Sequence, residues 1–392
     1  MPSWPNKRLC QFPEPACAHC VDRTMRRHHA PRPRLTRLDT KSRPASISNA
    51  ASITSKPPPS AMTGLVNQST QSKDLSSQAG LPSVMEESPH LQDLELMMFW
   101  CTTTYRSMAR DSVGECIWQT TIPQLSLRFP SLRHGLLALS ALQLAGTSPT
   151  PERRWRYLVS ARENQALALA GVRLDVTEDL TTAECNAHFA LCCVLLVFSF
   201  AYCLIDDDDD EEEERPDVLD EFVEVFELTR WILSAMTLTV DRVAAGDLHT
   251  LIHSRQPRPT MPDMSRLVVL SLRRQNEVEA ERNPAHEKGV YTQAIEHLTT
   301  SLEQLMNGGE PKDFAFCWAF RIPVRFQDLV RDRQPFALVV LAHYAVILHH
   351  LRNSWWMGDW GTRILQEIGD YLEPQWRELI GWPIDATGCV LG

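Results

Sequence analysis

The stretch that decides the fold is FALCCVLLVFSFAYCLI, residues 189–205, the longest apolar run in the chain. Its length is about 17 residues, the short limit for a helix that crosses a bilayer. The run contains Ser199 and Tyr202 and leads directly into the acidic residues 206–214, and no second run of this kind occurs. We therefore interpret it as a helix buried in a protein core, and we expect no membrane span.

On both sides of this run, apolar residues recur at steps of three and four, the spacing of one helix face. Three of the predicted faces are Leu91, Leu94, Met98, Cys101, Tyr105 and Met108; Trp155, Leu158, Val159 and Leu167; and Tyr291, Ile295, Leu298, Leu302 and Leu305. Thr181 and Glu184 have the spacing of a capping box ahead of the buried run. The predicted helices begin near Pro89, Pro130, Pro151, Thr181, Leu219, Pro284, Pro335 and Trp360. Strand-like alternation is scarce, so the sequence predicts an all-α fold, a compact multi-helix domain.

The N-terminal quarter has a different composition. Residues 31–88 are rich in Pro, Ser, Thr and Gln. Such a sequence cannot bury enough apolar surface to offset chain entropy, and it predicts a disordered linker. Residues 1–43 hold ten Lys/Arg and three Asp/Glu, whereas the whole chain carries a net charge of -10. A basic arm on an acidic body suits contact with a polyanion such as DNA. A basic tail without a specific partner is the alternative interpretation.

Three cysteines in the basic segment form one constellation. Cys10, Cys17 and Cys20 have the spacing C-x6-C-x2-C. Thiolates at this spacing can hold a tetrahedral zinc ion. The arrangement resembles the middle of the fungal binuclear zinc cluster, a six-cysteine pattern with a basic run before its third cysteine. The resemblance implies that these three cysteines are the third, fourth and fifth metal ligands of such a cluster, within residues 1–30.

The rest of the cluster pattern is missing from the sequence. No cysteine lies between Cys20 and Cys101 or before the first of the three. Zinc is therefore expected only if the cluster is complete in the true gene product. The resemblance implies that Lys7, Arg8 and Arg23 are the residues that contact DNA. Three free cysteines in a disordered tail are the alternative interpretation.

A broader resemblance covers about three-quarters of the chain. Its blocks include residues 94–105 (LELMMFWCTTTY), 129–142 (FPSLRHGLLALSAL) and 335–351 (PFALVVLAHYAVILHHL), followed by Trp360-Gly361 and Trp382-Pro383. This ordered series resembles the regulatory domain of the sterol uptake control protein family of fungal transcription factors. The resemblance implies an all-helical regulatory domain over residues 89–385 that holds an apolar effector such as a sterol. It also implies a nuclear location, with retention in the cytoplasm until activation.

The predicted function is therefore that of a fungal transcription regulator with a degenerate DNA-binding segment. The alternative is a ligand-sensing or protein-interaction module that has lost DNA binding. No G-x-S-x-G, H-E-x-x-H or glycine-rich phosphate motif occurs, so we predict that the chain is not an enzyme. Zinc-cluster relatives commonly dimerise, so a homodimer is among the expected assemblies, although residues 31–88 lack sustained heptads. The sequence assigns no effector-binding residue.

Two further features have a simpler interpretation than a functional site. The acidic residues 206–214 should form a solvated loop, because like charges repel one another. His343, His349 and His350 lie on one predicted helix, and the first and last share a face. Without a carboxylate or cysteine at a recognised spacing, we expect satisfied or surface histidines rather than a metal site.

Overall fold

A computed structural model describes residues 89–173, 180–206, 217–252 and 263–391. Within these ranges the regular structure is helical and contains no strand, so the all-α prediction is confirmed for this part of the chain. Several sequence predictions lie outside the described residues. They concern Lys7, Arg8, Cys10, Cys17, Cys20, Arg23 and the acidic residues 207–214.

The chain folds into a succession of α-helices joined by short connections. The α-helices are α1 (Pro89–Phe99), α2 (Tyr105–Met108), α3 (Ser112–Cys116), α4 (Ile122–Ser126), α5 (Pro130–Thr147), α6 (Pro151–Leu169), α7 (Thr182–Asp206), α8 (Val218–Thr237), α9 (Val240–Ala244), α10 (Asp263–Arg282), α11 (Lys288–Met306), α12 (Pro311–Arg321), α13 (Val324–Arg331), α14 (Pro335–His349), α15 (Trp360–Tyr371), α16 (Pro374–Arg377) and α17 (Gly381–Thr387). Single turns of π-helix lie at Trp100–Thr104 and Ile117–Thr121, and 3-10 turns lie at His249–Leu251 and Glu378–Ile380.

Helix α7 contains the long apolar run and lies in the core. Over Thr182–Ile205 it is long and apolar enough to cross a membrane by composition, yet 83% of that window is buried inside the protein. The predicted capping box forms at its start. The Thr181 N–H donates to Glu184 Oε2 at 2.8 Å, and the Glu184 N–H donates back to Thr181 Oγ1 at 3.3 Å. The Thr181 hydroxyl also donates to Glu184 Oε2, at 2.7 Å, and the two bonds that the carboxylate accepts favour its charged form and lower the pKa of Glu184.

Helix α14 is the second central helix, and it is buried on every side. All residues from Phe336 to Leu348 are buried, so the predicted apolar stripe is only part of a wholly apolar cylinder. Helix α15 packs along it. Trp360 at the start of α15 is fully buried, and its indole N–H donates to the Phe200 carbonyl of α7 at 3.1 Å. This bond links the two central helices through α15.

Two predicted apolar faces are wrong in part, because Tyr105 and Leu158 are buried as predicted but other members of each face are exposed. Leu91, Leu94 and Met98 are exposed by 57, 60 and 69%. Helix α1 instead buries Leu96 and is followed by the buried Trp100. The indole N–H of Trp100 donates to the Trp118 carbonyl at 2.9 Å. The bulky indole of Trp100 determines which of the two apolar faces of α1 is buried. Residue spacing alone cannot predict that choice. Trp155 of α6, also assigned to an apolar face, is likewise exposed.

Two predicted helix boundaries also change. Asn283 and Pro284 do not begin a helix, because α11 begins at Lys288. The Asn283 carboxamide oxygen accepts from the Ala285 N–H at 3.0 Å and so stabilises a turn before the helix. At the C-terminal end, where the last helices were predicted between Trp360 and Leu379, helical structure extends to Thr387.

Six helices were missed by the sequence patterns, namely α3, α4, α9, α10, α12 and α13, and the first three of these have only five residues each. Helix α10 is mostly polar and buries few apolar side chains, among them Val269 and Leu272. Helices α12 and α13 are only 11 and 8 residues long, which leaves little periodicity to read. Helix α12 nevertheless supplies one wall of the cavity described next.

Candidate functional site

A cavity of about 230 Å³ lies where α7, α8 and α12 meet the connections around α2 and α9. Its described lining residues are mostly apolar or aromatic, and three of them are cations. They are Ser107, Met108, Arg110, Trp118, Phe189, Cys193, Leu196, Val197, Leu233, Met236, Thr237, Val240, Leu251, Lys312, Phe316, Cys317, Phe320, Arg321 and Trp356. A cavity of this composition can enclose an apolar molecule.

The apolar wall is one face of α7. Phe189, Cys193, Leu196 and Val197 are spaced at steps of four, three and one, which places them on one side of a helix. Opposite them, α8 and α12 contribute further apolar side chains. The Cys193 thiol contacts the Met236 sulfur at 3.9 Å across this space. The long apolar run therefore has two roles, because it lies in the core of the fold and also forms one wall of the cavity.

Two of the three cations, Lys312 at the start of α12 and Arg110, lie near one another, whereas Arg321 is the last residue of α12. The Lys312 ammonium donates to the Ala109 carbonyl at 2.9 Å, and Arg110 donates to the Leu251 carbonyl. Burial lowers the pKa of Lys312, because a charged ammonium is poorly solvated there. Glu310 opposes that shift, and it accepts from the Lys312 backbone N–H at the N-cap of α12.

Two adjacent tryptophans lie in the connection after α14, and the second of them lines the cavity. The indole N–H of Trp355 donates to Ser107 Oγ at 2.6 Å and ties this connection to α2. Trp356, which lines the cavity, is 1% exposed. Its indole N–H has no hydrogen-bond partner among the described residues. A buried donor of this kind costs free energy unless something accepts from it, so an acceptor in the cavity would stabilise the site.

The lining includes few side chains of the types common in catalytic sites. Burial raises the pKa of the Cys193 thiol to about 12, so the nucleophilic thiolate is scarce at neutral pH. None of the described residues that line the cavity is Asp, Glu or His. The described lining thus lacks the histidine and carboxylate side chains that most often serve in general acid–base chemistry.

The histidines of α14 lie elsewhere. His343 is buried and stacks on Trp382, with ring centroids 5.8 Å apart. Its Nδ1 lies 2.8 Å from the Val339 carbonyl, and burial lowers the pKa of the imidazole to about 4. His350 is exposed. Among the described residues, no cluster of three or more His, Cys, Asp or Glu side chains could hold a metal ion. The expectation of satisfied or surface histidines agrees with these contacts.

No lining residue of the cavity was predicted from the sequence. Periodicity indicated that Phe189 and Leu196 are buried, but it could not separate a solid core from a cavity wall. The lining residues also come from distant parts of the chain, since Lys312 and Ala109 are 203 positions apart. One segment of the sequence, residues 311–321 (PKDFAFCWAFR), places a lysine near several aromatic residues. It is the only indication of a lining that is both charged and apolar.

Comparison with known proteins places the chain near one class of regulators. It is 23% identical over 318 residues to a Zn(2)-C6 fungal-type transcription factor of Gibberella zeae, an alignment that covers 77% of this chain and 63% of the relative. It is also 33% identical over 95 residues to Sterol uptake control protein 2 of Saccharomyces cerevisiae, which covers 24% of this chain and 10% of that protein.

These similarities have a limited span. The chain covers less than two-thirds of the length of either curated relative. No family model matches the chain, and no solved structure matches it. The comparisons therefore support a similarity to fungal Zn(2)-C6 transcription factors without selecting a particular member.

Proposed function

We propose that the chain is a fungal transcription regulator whose helical part binds an apolar effector. In this proposal residues 1–30 are the remnant of a zinc-cluster DNA-binding segment and residues 31–88 are a linker. Residues 89–385 form the regulatory domain, and the protein acts in the nucleus without catalysing a reaction. A homodimer is the proposed assembly, and release from the cytoplasm on activation is the proposed control.

One observation carries this proposal, the similarity to a Zn(2)-C6 transcription factor over 318 residues. An alignment of that length extends well beyond any short DNA-binding segment and includes much of the helical region. The cavity adds a physical reason for a sensing role. It is a partly open cavity between core helices, and its lining is mostly apolar and rich in aromatic side chains, as binding sites for small apolar molecules commonly are.

The DNA-binding part of the proposal concerns residues outside the described ranges. Cys10, Cys17 and Cys20 would supply thiolate ligands for zinc. Lys7, Arg8 and Arg23 would neutralise DNA phosphates or reach base edges. The zinc requirement holds only for a gene product that contains the whole cluster.

The regulatory part can be tested without knowing the target genes. We expect the full chain, fused to a bacterial repressor DNA-binding domain, to change transcription of an operator-controlled reporter in yeast several-fold. A reporter with intermediate basal expression registers activation and repression alike. The DNA-binding domain alone is the control. Reporter output equal to that control, with the fusion present in the nucleus at matched abundance, would contradict a role in transcription.

The alternative function, a sensing or interaction module without DNA binding, is favoured by the absence of cysteine between Cys20 and Cys101. Metal analysis separates the two. We expect no stoichiometric zinc in the purified chain, but two zinc ions in a chain restored with the missing cluster cysteines. In the restored chain Cys17→Ser should release zinc, whereas Cys116→Ser, at an exposed cysteine of α3, should not. A restored chain that binds no zinc would contradict DNA binding through a zinc cluster and would support the alternative function.

A further inference from the structure

The polar groups of the cavity are nearly all hydrogen-bond donors. Lys312, Arg110 and Arg321 are cations, and no described lining residue is acidic. The Trp356 indole adds a buried N–H without a partner among the described residues. Ser107 Oγ already accepts from Trp355. A molecule that complements these groups must therefore present acceptors, and a negative charge would suit it best.

Lys312 is placed to receive that charge. An ammonium has three N–H donors, and the described residues accept one of them, through the Ala109 carbonyl at 2.9 Å. That bond fixes the direction of the side chain at the cavity wall. Glu310, the neighbouring carboxylate, accepts from the backbone of α12 and does not line the cavity. Burial of a cation is costly unless an anion or an acceptor compensates it.

The shape of the cavity restricts the rest of the ligand. Its volume of about 230 Å³ lies below the roughly 300–1,000 Å³ of sites that hold drug-sized molecules. The wall from α7 offers Phe189, Leu196 and Val197, which would contact a short apolar body. A neutral sterol would bring four fused rings and a single hydroxyl, and so would fit this volume and this set of donors poorly.

We infer that the cavity binds a small amphipathic carboxylate, with the apolar body against α7 and the carboxylate at Lys312 and the Trp356 N–H. The inference rests on the proposed effector-binding function and names the chemical class of that effector. A carboxylate supplies several acceptor sites on two oxygens and one negative charge, which match in kind the ammonium of Lys312 and the N–H of Trp356, two residues that line the same cavity.

The test compares two ligands of equal chain length on the full-length protein. Calorimetric titration with sodium octanoate and with 1-octanol measures the contribution of the charge. We expect octanoate to bind at least about tenfold more tightly than octanol, because its head group makes charge-assisted hydrogen bonds. Lys312→Met should weaken octanoate binding about tenfold or more and leave octanol binding within about twofold. Lys312→Arg, which keeps the charge, should retain most of the octanoate affinity.

The matched control is Lys288→Met. Lys288 is on the surface of α11, where it pairs with Glu277 at 2.5 Å, and its loss should not change the binding of either ligand. Thermal melting of each variant verifies that it is folded. Equal affinities for octanoate and octanol, or no effect of Lys312→Met in a folded protein, would overturn the inference.

Two other outcomes separate this inference from the proposed function. Tight binding of cholesterol without binding of octanoate would contradict the inference of a carboxylate ligand, but it would support the proposed apolar effector. Binding of none of the three probes, with reporter activity intact in the fusion, would overturn the inference and the sensing role but not the role in transcription.

Discussion

Gly361→Ala is expected to lower the free energy of unfolding by about 3 kcal/mol, at the upper end of typical overpacking costs. Gly361 is the second residue of α15, where that helix crosses α14. A Cβ atom at this position would lie 2.6 Å from the Ala345 carbonyl oxygen and 2.6 Å from the His349 backbone nitrogen. Both neighbours are backbone atoms of a buried helix, so neither can move aside without separating the two helices.

The expected destabilisation is opposite in sign to the effect of helix propensity. Alanine favours a helix over glycine by about 1 kcal/mol, so local propensity alone would stabilise the variant. Chemical denaturation of both proteins measures the difference. Gly289→Ala is the matched control, because Gly289 is also the second residue of its helix, α11, and a Cβ atom there would meet no described atom within 4 Å. It should gain up to about 1 kcal/mol. A stable Gly361→Ala protein would mean that α14 and α15 do not approach this closely.

The same helices show how far the sequence predicts the fold. Tyr291, Ile295 and Leu298 were predicted on one face of a helix, and all three are buried on α11. A three-to-four-residue repeat therefore identifies a helix with one buried side. It fails for α1, where Leu91 and Leu94 are exposed, because that helix offers two apolar faces and a distant partner selects between them. It also says little about α14, whose apolar residues surround the whole helix.

The cavity could not be predicted for a related reason. Leu196 and Val197 follow the same pattern as any buried pair, and a helix face against a void has the same periodicity as one against another helix. Lys312 carries no local signal either, since its partner is the carbonyl of Ala109 far away in sequence. The class of regulator could be inferred from ordered sequence blocks, but the binding properties depend on contacts that only the folded chain brings together.

Trp318→Ala is expected to cost about 3–5 kcal/mol of unfolding free energy, the range for truncating a buried aromatic residue. Trp318 of α12 is fully buried, and its ring stacks on Tyr344 of α14 with centroids 4.2 Å apart. Its indole N–H donates to the Ala294 carbonyl of α11 at 2.9 Å. Phe226 of α8 also packs on the ring, at 5.9 Å. One side chain therefore joins four helices, and its removal leaves a cavity that backbone shifts cannot close.

Two further variants measure the contribution of the hydrogen bond and the contribution of burial. Trp318→Phe keeps an aromatic ring and removes the N–H, so it should cost less, about 1–2 kcal/mol. Trp155→Ala removes the same side chain from a position that is 57% exposed, where the loss should stay below about 1 kcal/mol. Denaturation midpoints with unchanged slopes measure all three. Because α12 also carries Lys312 and Phe316, a loosened Trp318 should weaken octanoate and octanol binding together. A loss of charge at Lys312 should weaken octanoate binding only. The two positions therefore distinguish a disturbed cavity wall from the loss of the group that binds the carboxylate.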